Sequence, residues 1–270
     1  MTRGAAGAYA ALGDLNLYYE RYGDAQPGQV PLILIHGGFG ATSMFSGLIP
    51  ALSAGREVIA VDLQAHGRTA DLERPMRFET LGNDIAGLLD HLTLPQADVL
   101  GYSLGAGVAL RFAVQHPGAL RRLVAVSFPF RRDHWFPGVT AGMAQIGPQA
   151  AEGLKGTPMH TLYSSIAPRP GEWDRLVTRV GEVINTGHDW ADDLRGLQKP
   201  TLIVAGDADS FAPRHAAEFF ALLGGGLRDG GWDGSGRTQH RLAILPGTTH
   251  YDILQSPLLP AAVTAFLDAP

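Results

Sequence analysis

"ADVLGYSLGAGVALRFAVQHP", residues 97–117, decides how the rest of the chain is read. Its opening run through Tyr102 suits a buried strand, and the stretch after Ser103 can only be a helix. Between them, Gly101-Tyr102-Ser103-Leu104-Gly105 sets a hydroxyl on a turn so tight that glycine stands on both sides of it. Strained backbone there lifts the serine oxygen clear of the sheet. Gly101 and Gly105 remove side chains that would collide with the neighbouring strand and helix. The helix start directs free N–H groups and the positive end of its dipole at any oxyanion forming beside the serine. Ala106 and Gly107 extend the small-residue strip, so the helix packs close to the sheet.

Outward from this turn the pattern repeats. Upstream, "VPLILIHGGFG" (30–40) begins as an unbroken apolar run, as in a strand covered on both faces. A helix is predicted over 43–52 and a strand over "REVIAVDL" (56–63). Leu81, Ile85, Leu88, Leu89 and Leu92 then form one helical stripe. The alternating, aromatic "LNLYYERYG" (15–23) suits an edge strand or hairpin. Downstream, "LRRLVAVSF" (120–128), "KPTLIVAGDAD" (199–209) and "HRLAILPG" (240–247) read as strands. A helix is predicted near 213–223, and "SPLLPAAVTAFLDA" closes the chain as a helix with Pro257 in its first turn. This alternation predicts an α/β protein with a doubly wound, mostly parallel sheet. The rhythm breaks over 129–198, where helical stripes, aromatics and prolines replace strands. The expected organisation is a core of 1–128 and 199–270 with a helical lid, 129–198, inserted in it. The glycine-rich 224–238 segment, carrying Trp232, reads as a surface loop.

Composition bounds the function. The chain has 270 residues, 45% hydrophobic and 17% charged, as in an ordinary globular domain. A formal charge of −5 offers no basic face for nucleic acid. The pairs Arg121-Arg122 and Arg131-Arg132 read as solvated surface. With no cysteine there is no disulfide, thiolate metal site or cysteine nucleophile. No signal-peptide core or membrane span is legible, so the expectation is a cytoplasmic protein with no membrane partner. Oligomeric state is not legible.

Three further segments could complete the chemistry of Ser103. "HGGFG" (36–40) ends the first long buried strand. The backbone N–H of Gly38 or Phe39, with that of Leu104, would form an oxyanion hole. His36 itself reads as structural. "GDAD" supplies Asp207 and Asp209; Asp209 is favoured as the orienting acid, because it lies beyond the strand, with Asp207 shaping the turn. "PGTTHYD" places His250 after the last strand as general base, with Asp252 structural.

Together, "HGGFG", "DLQAHGRT", "GYSLGAG", "GDAD" and "PGTTHYD" resemble the α/β-hydrolase superfamily, more narrowly its lid-bearing esterase, lactonase and C–C hydrolase members. The resemblance covers the chain from about residue 15 to the end, apart from the lid. "DLQAHGRT" (62–69) departs from the D-x-x-G-x-G-x-S turn by Ala65 in place of a glycine, and the 224–238 loop is longer than the pattern. The resemblance implies an α/β-hydrolase fold, a Ser103–His250–Asp209 triad and an acyl-enzyme, with no cofactor and no metal. Serine at the elbow, where epoxide- and halide-processing relatives carry aspartate, points away from those reactions. The expected substrate is a small-molecule ester or lactone, apolar and small to medium in size. Phe39, Phe128, Trp135, Phe136, Met143, Tyr163, Trp190 and Tyr251 are candidates for an apolar pocket, together with Phe130 and Met159. Arg131, Arg132 or His134 could instead meet a substrate carboxylate. The alternatives are a hydrolase of vinylogous diketone C–C bonds and a ligand receptor that kept the fold without the chemistry.

Overall fold

The computed structural model describes residues 6–26 and 28–269. Among these, eight strands form one sheet: β1 (Ala6–Leu12), β2 (Leu15–Tyr22), β3 (Leu32–Ile35), β4 (Val58–Val61), β5 (Ala97–Tyr102), β6 (Leu120–Val126), β7 (Thr201–Ala208) and β8 (Arg241–Thr249). Their order is β1-β2-β4-β3-β5-β6-β7-β8; β2 runs antiparallel to both of its neighbours, β1 and β4, and all other neighbouring pairs are parallel. The helices are α1 (Ile49–Leu52), α2 (Phe78–His91), α3 (Leu104–Gln115), α4 (Pro137–Ala144), α5 (Pro158–Ile166), α6 (Trp173–Asn185), α7 (Ala191–Arg195), α8 (Pro213–Leu222) and α9 (Leu258–Leu267).

The strands are apolar on both sides because both sides are covered. In β3, Ile33 and Ile35 join a core with α2, α3 and α8, while Leu32 and Leu34 join another with α1 and α9. All four are fully buried, each contributing about 2 kcal/mol of transfer free energy. Doubly wound sheets gather the C-terminal ends of their parallel strands on one edge, where ligands bind. Here that edge carries His36, Ser103, Ser127, Asp209 and His250.

The helix predicted over 43–52 is corrected to a 3-10 turn, Thr42–Phe45, and the four-residue α1, separated by the helix-breaking Gly47. β1 carries no alternation strong enough to be read from sequence; it forms because its backbone completes a hairpin with β2. Arg121 and Arg122 are not idle surface. Arg121 pairs through Nε and Nη2 with Asp98, which is fully buried in β5, and Arg122 donates to the carbonyls of Phe266, Leu267 and Ala269 at the end of α9. Cations there satisfy carbonyls that a helix end leaves without partners.

The stretch between β6 and β7 contains α4 to α7. Asp71, in the loop after β4, anchors it: its carboxylate accepts from Arg175 at 2.8 Å and Arg179 at 3.0 Å, both on α6. Burial opposes the ionised form of Asp71, but hydrogen bonds from Gln64 and these two guanidinium groups outweigh it and hold the carboxyl below its usual range. The 224–238 loop closes on itself through Gly236 N–H to Gly230 O, and Trp232 is fully exposed.

Candidate active site

Ser103 sits at φ 52° and ψ −124°, a sparsely populated positive-φ conformation that costs a non-glycine residue about 1–3 kcal/mol. Its neighbours show why the turn needs glycine. A Cβ on Gly105 would run into the carbonyls of Ile35 and His36 at the end of β3, and one on Gly101 into the carbonyl of Gly105. A Cβ on Gly107 would lie 2.5 Å from the Phe78 ring, so α3 reaches its depth against α2 only without one.

Ser103 Oγ lies 2.9 Å from His250 Nε2, and His250 Nδ1–H donates to Asp209 Oδ1 at 3.0 Å. Asp209 is buried and accepts three more bonds: Ser210 N–H to Oδ1 at 2.7 Å, Ser127 Oγ–H to Oδ2 at 2.6 Å and Gly206 N–H to Oδ2 at 3.1 Å. Burial pushes against the charged carboxylate, yet the His250 contact and these donors prevail and keep Asp209 below the ordinary carboxyl range. A carboxylate so held fixes the imidazole tautomer that leaves Nε2 free to accept from serine. Asp207 instead accepts from Thr248 N–H, and Asp252 from Thr249 N–H. His36 donates Nδ1–H to Gly37 O and accepts Leu63 N–H at Nε2, bracing the loop that carries Gly38 and Phe39. Leu104 opens α3, so its N–H has no intrahelical acceptor. Phe39, at φ 60°, turns the opposite loop toward it, and Gly38, Phe39, Leu104 and Ser103 line the same space.

That space is a cavity of about 660 Å³. Tyr102, Ser103 and His250 form its floor, with Phe78, Phe128 and Trp135 at the side. Its roof comes from the stretch between β6 and β7: Val139 and Met143 on α4, Ile146 just after it, Met159 and Leu162 on α5, and Val180 and Ile184 on α6. Of the expected pocket residues, Phe39, Phe128, Trp135, Met143 and Met159 line it, and Tyr251 stands exposed at its edge. Phe136, Tyr163, Trp190 and Phe130 do not. Phe136 precedes α4 and is half exposed. Tyr163 packs on Trp173 and donates its hydroxyl to Arg169 O. Trp190 lies behind Phe128 and Phe78, under the Arg111 guanidinium. Phe130 packs on Phe219. No lysine or arginine among the described residues lines the cavity. Arg131 and Arg132 stand outside its lining; Arg131 pairs with Asp133, and Arg132 donates to Met143 Sδ at 2.7 Å. Sequence reasoning missed Ser127 and Tyr102, whose hydroxyl donates to the His250 carbonyl at 2.7 Å. Neither carries a motif; only the fold brings them to the site.

A family model described as the alpha/beta hydrolase fold matches residues 30–166, half of the chain. The chain belongs to the alpha/beta hydrolase fold family. The match spans both the tight turn at Ser103 and the loop of Gly38. Similar proteins include the sn-1-specific diacylglycerol lipase ABHD11 of Danio rerio, 31% identical over 42% of this chain and 35% of its own length. A 2-hydroxymuconate semialdehyde hydrolase of Pseudomonas sp. (strain CF600) is 38% identical over 37% of this chain and 38% of its own length. The chain thus spans well under half of the length of these curated relatives. Among solved structures, carboxylesterase CesB (YbfK) of Bacillus subtilis superposes with a TM-score of 0.74 at 18% identity, covering 98% of this chain and 92% of that one, a likeness of fold. No helix among the described residues is long and apolar enough to cross a membrane.

Proposed function

We propose that this alpha/beta hydrolase cleaves uncharged, apolar carboxylic esters or lactones through an acyl-enzyme on Ser103. The observation that carries the reading is the Ser103–His250–Asp209 hydrogen-bond chain on the floor of a roofed, apolar cavity. In this mechanism His250 Nε2 takes the Ser103 proton as Oγ attacks the ester carbonyl. The tetrahedral oxyanion is held by the N–H groups of Leu104 and of Gly38 or Phe39. His250 then protonates the leaving alkoxide, and its proton is replaced from water as water hydrolyses the acyl-serine. Asp209 stays ionised throughout and steadies the imidazolium. No step calls on a metal or an organic cofactor.

Likeness to the semialdehyde hydrolase favours a second reading, C–C bond hydrolysis of a vinylogous diketone. Its dienoate carboxylate would enter a cavity without a lining cation among the described residues, at a cost of several kcal/mol if it stayed ionised. This counts for the neutral ester. Ser103→Ala should leave the far-ultraviolet circular dichroism and melting temperature intact while p-nitrophenyl butyrate turnover falls by about 10⁴-fold or more. Wild-type levels of turnover in that variant would end the proposal, and a higher kcat/KM on a ring-cleavage dienoate than on any ester would turn it to the second reading.

A further inference from the structure

One cluster of ligand-type side chains lies outside the cavity, where the insertion meets the core. His134 ends the 3-10 turn Arg132–His134, and His215 and Glu218 stand one turn apart on α8. The two histidines are far apart in sequence, and the fold brings them together. Their rings stack at 3.9 Å, and one ligand atom from each of the three residues lies within 4.8 Å of the others. His134 is buried, and neither of its ring nitrogens makes a hydrogen bond among the described residues. Its Nε2 faces Glu218 Oε2 from 3.6 Å, too far for a hydrogen bond. His215 Nδ1 meets the same oxygen at 2.8 Å.

We propose that His134, His215 and Glu218 bind a divalent transition cation of the zinc class and so clamp the first turn of the insertion onto α8. Two imidazoles and one carboxylate are a borderline-soft donor set that such ions prefer over magnesium or calcium. Ligand atoms on one tetrahedral zinc stand about 3.3 Å apart, and the two distances to Glu218 Oε2 bracket that value. Glu218 is half exposed, so it can shift and leave the remaining coordination positions to water. The stacked rings must splay to aim both lone pairs at one point. Asp133, 4.0 Å from His134 Nε2, adds a nearby negative charge. The ion would sit beside Trp135, the next residue, which lines the cavity. It touches no reacting atom, so the site would set the stance of the insertion and not the chemistry of Ser103.

The full chain, stripped with a chelator, is titrated with Co²⁺ and then Zn²⁺ by calorimetry and visible absorption. The expected result is one equivalent of Co²⁺ with the d–d band of a low-coordinate site, displaced by Zn²⁺. The melting temperature should rise by about 5 °C at saturating Zn²⁺. His215→Asn and Glu218→Gln should each weaken binding at least about tenfold, while His160→Asn, elsewhere on α5, leaves it unchanged. Absence of saturable binding up to about 1 mM, or unchanged affinity in both cluster variants, would overturn the proposal.

Discussion

Four donors converge on Asp209, and the one from Ser127 is the most open to test. A hydrogen bond to a buried charge is worth about 1.5–3 kcal/mol. Its loss in Ser127→Ala should raise the Asp209 carboxyl and loosen the orientation of His250. Esterase kcat should then fall about tenfold with KM unchanged; a raised KM at constant kcat would place Ser127 in substrate binding instead. A second residue-scale expectation concerns acid stability. Burial, with the neighbouring His66, pushes His36 down to about 3, and burial pushes His66 down to about 4. An unfolded histidine takes its proton near about pH 6.5. The unfolded chain therefore binds protons that the folded chain refuses, so this stability is present above about pH 6.5 and drains away as the pH falls through the folded values. In His36→Gln the amide oxygen still accepts Leu63 N–H but does not titrate. Its urea midpoint should fall less between about pH 7 and pH 5 than that of the wild type, and equal falls would remove His36 from the account.

The elbow is an element-scale device: β5, α3 and β3 meet where no side chain fits. Gly105→Ala should prove severe, because the added methyl meets backbone carbonyls that cannot swing aside. The expected outcome is a melting temperature lower by about 10 °C or more, or insoluble protein; a soluble variant melting like wild type would show that the sheet can give way. At this scale the sequence was most readable. The glycine spacing around Ser103 and the unbroken apolar runs of β3 and β5 encode local geometry directly, so strand, turn and helix could be placed. It was least readable where tertiary contacts decide. β1 exists through its pairing with β2, and Gly47 breaks the predicted 43–52 helix. Trp190 and Tyr163 had the right composition for a pocket, but their burial is against neighbouring rings and not against the cavity. Ala65 stands at φ 66°, where the family pattern carries glycine, and its turn still closes on the Asp62 carboxylate through Thr42 and Arg68 N–H.

Across the whole molecule, the roof and the floor of the cavity belong to different parts of the chain, joined through several ion pairs. Asp71 with Arg175 and Arg179 is one of them. Asp71→Asn keeps the shape but strands two guanidinium groups, and should cost about 1–3 kcal/mol. Limited proteolysis should then cut first within residues 137–185 while the sheet persists; simultaneous loss of both would mean that insertion and core unfold as one. The order of Ser103, Asp209 and His250 along the chain was legible because each follows a strand. Their distances, the apolar roof and the meeting of His134 with His215 were not, since residues far apart in sequence make them. The tryptophans are divided in the same way. Trp135, Trp173 and Trp190 are shielded, and Trp232 alone stands wholly in water. A charged collisional quencher therefore silences one indole and spares three. The surviving emission includes Trp135, whose ring borders both the cavity and His250, so the protein carries an intrinsic optical gauge of whether its interior is occupied.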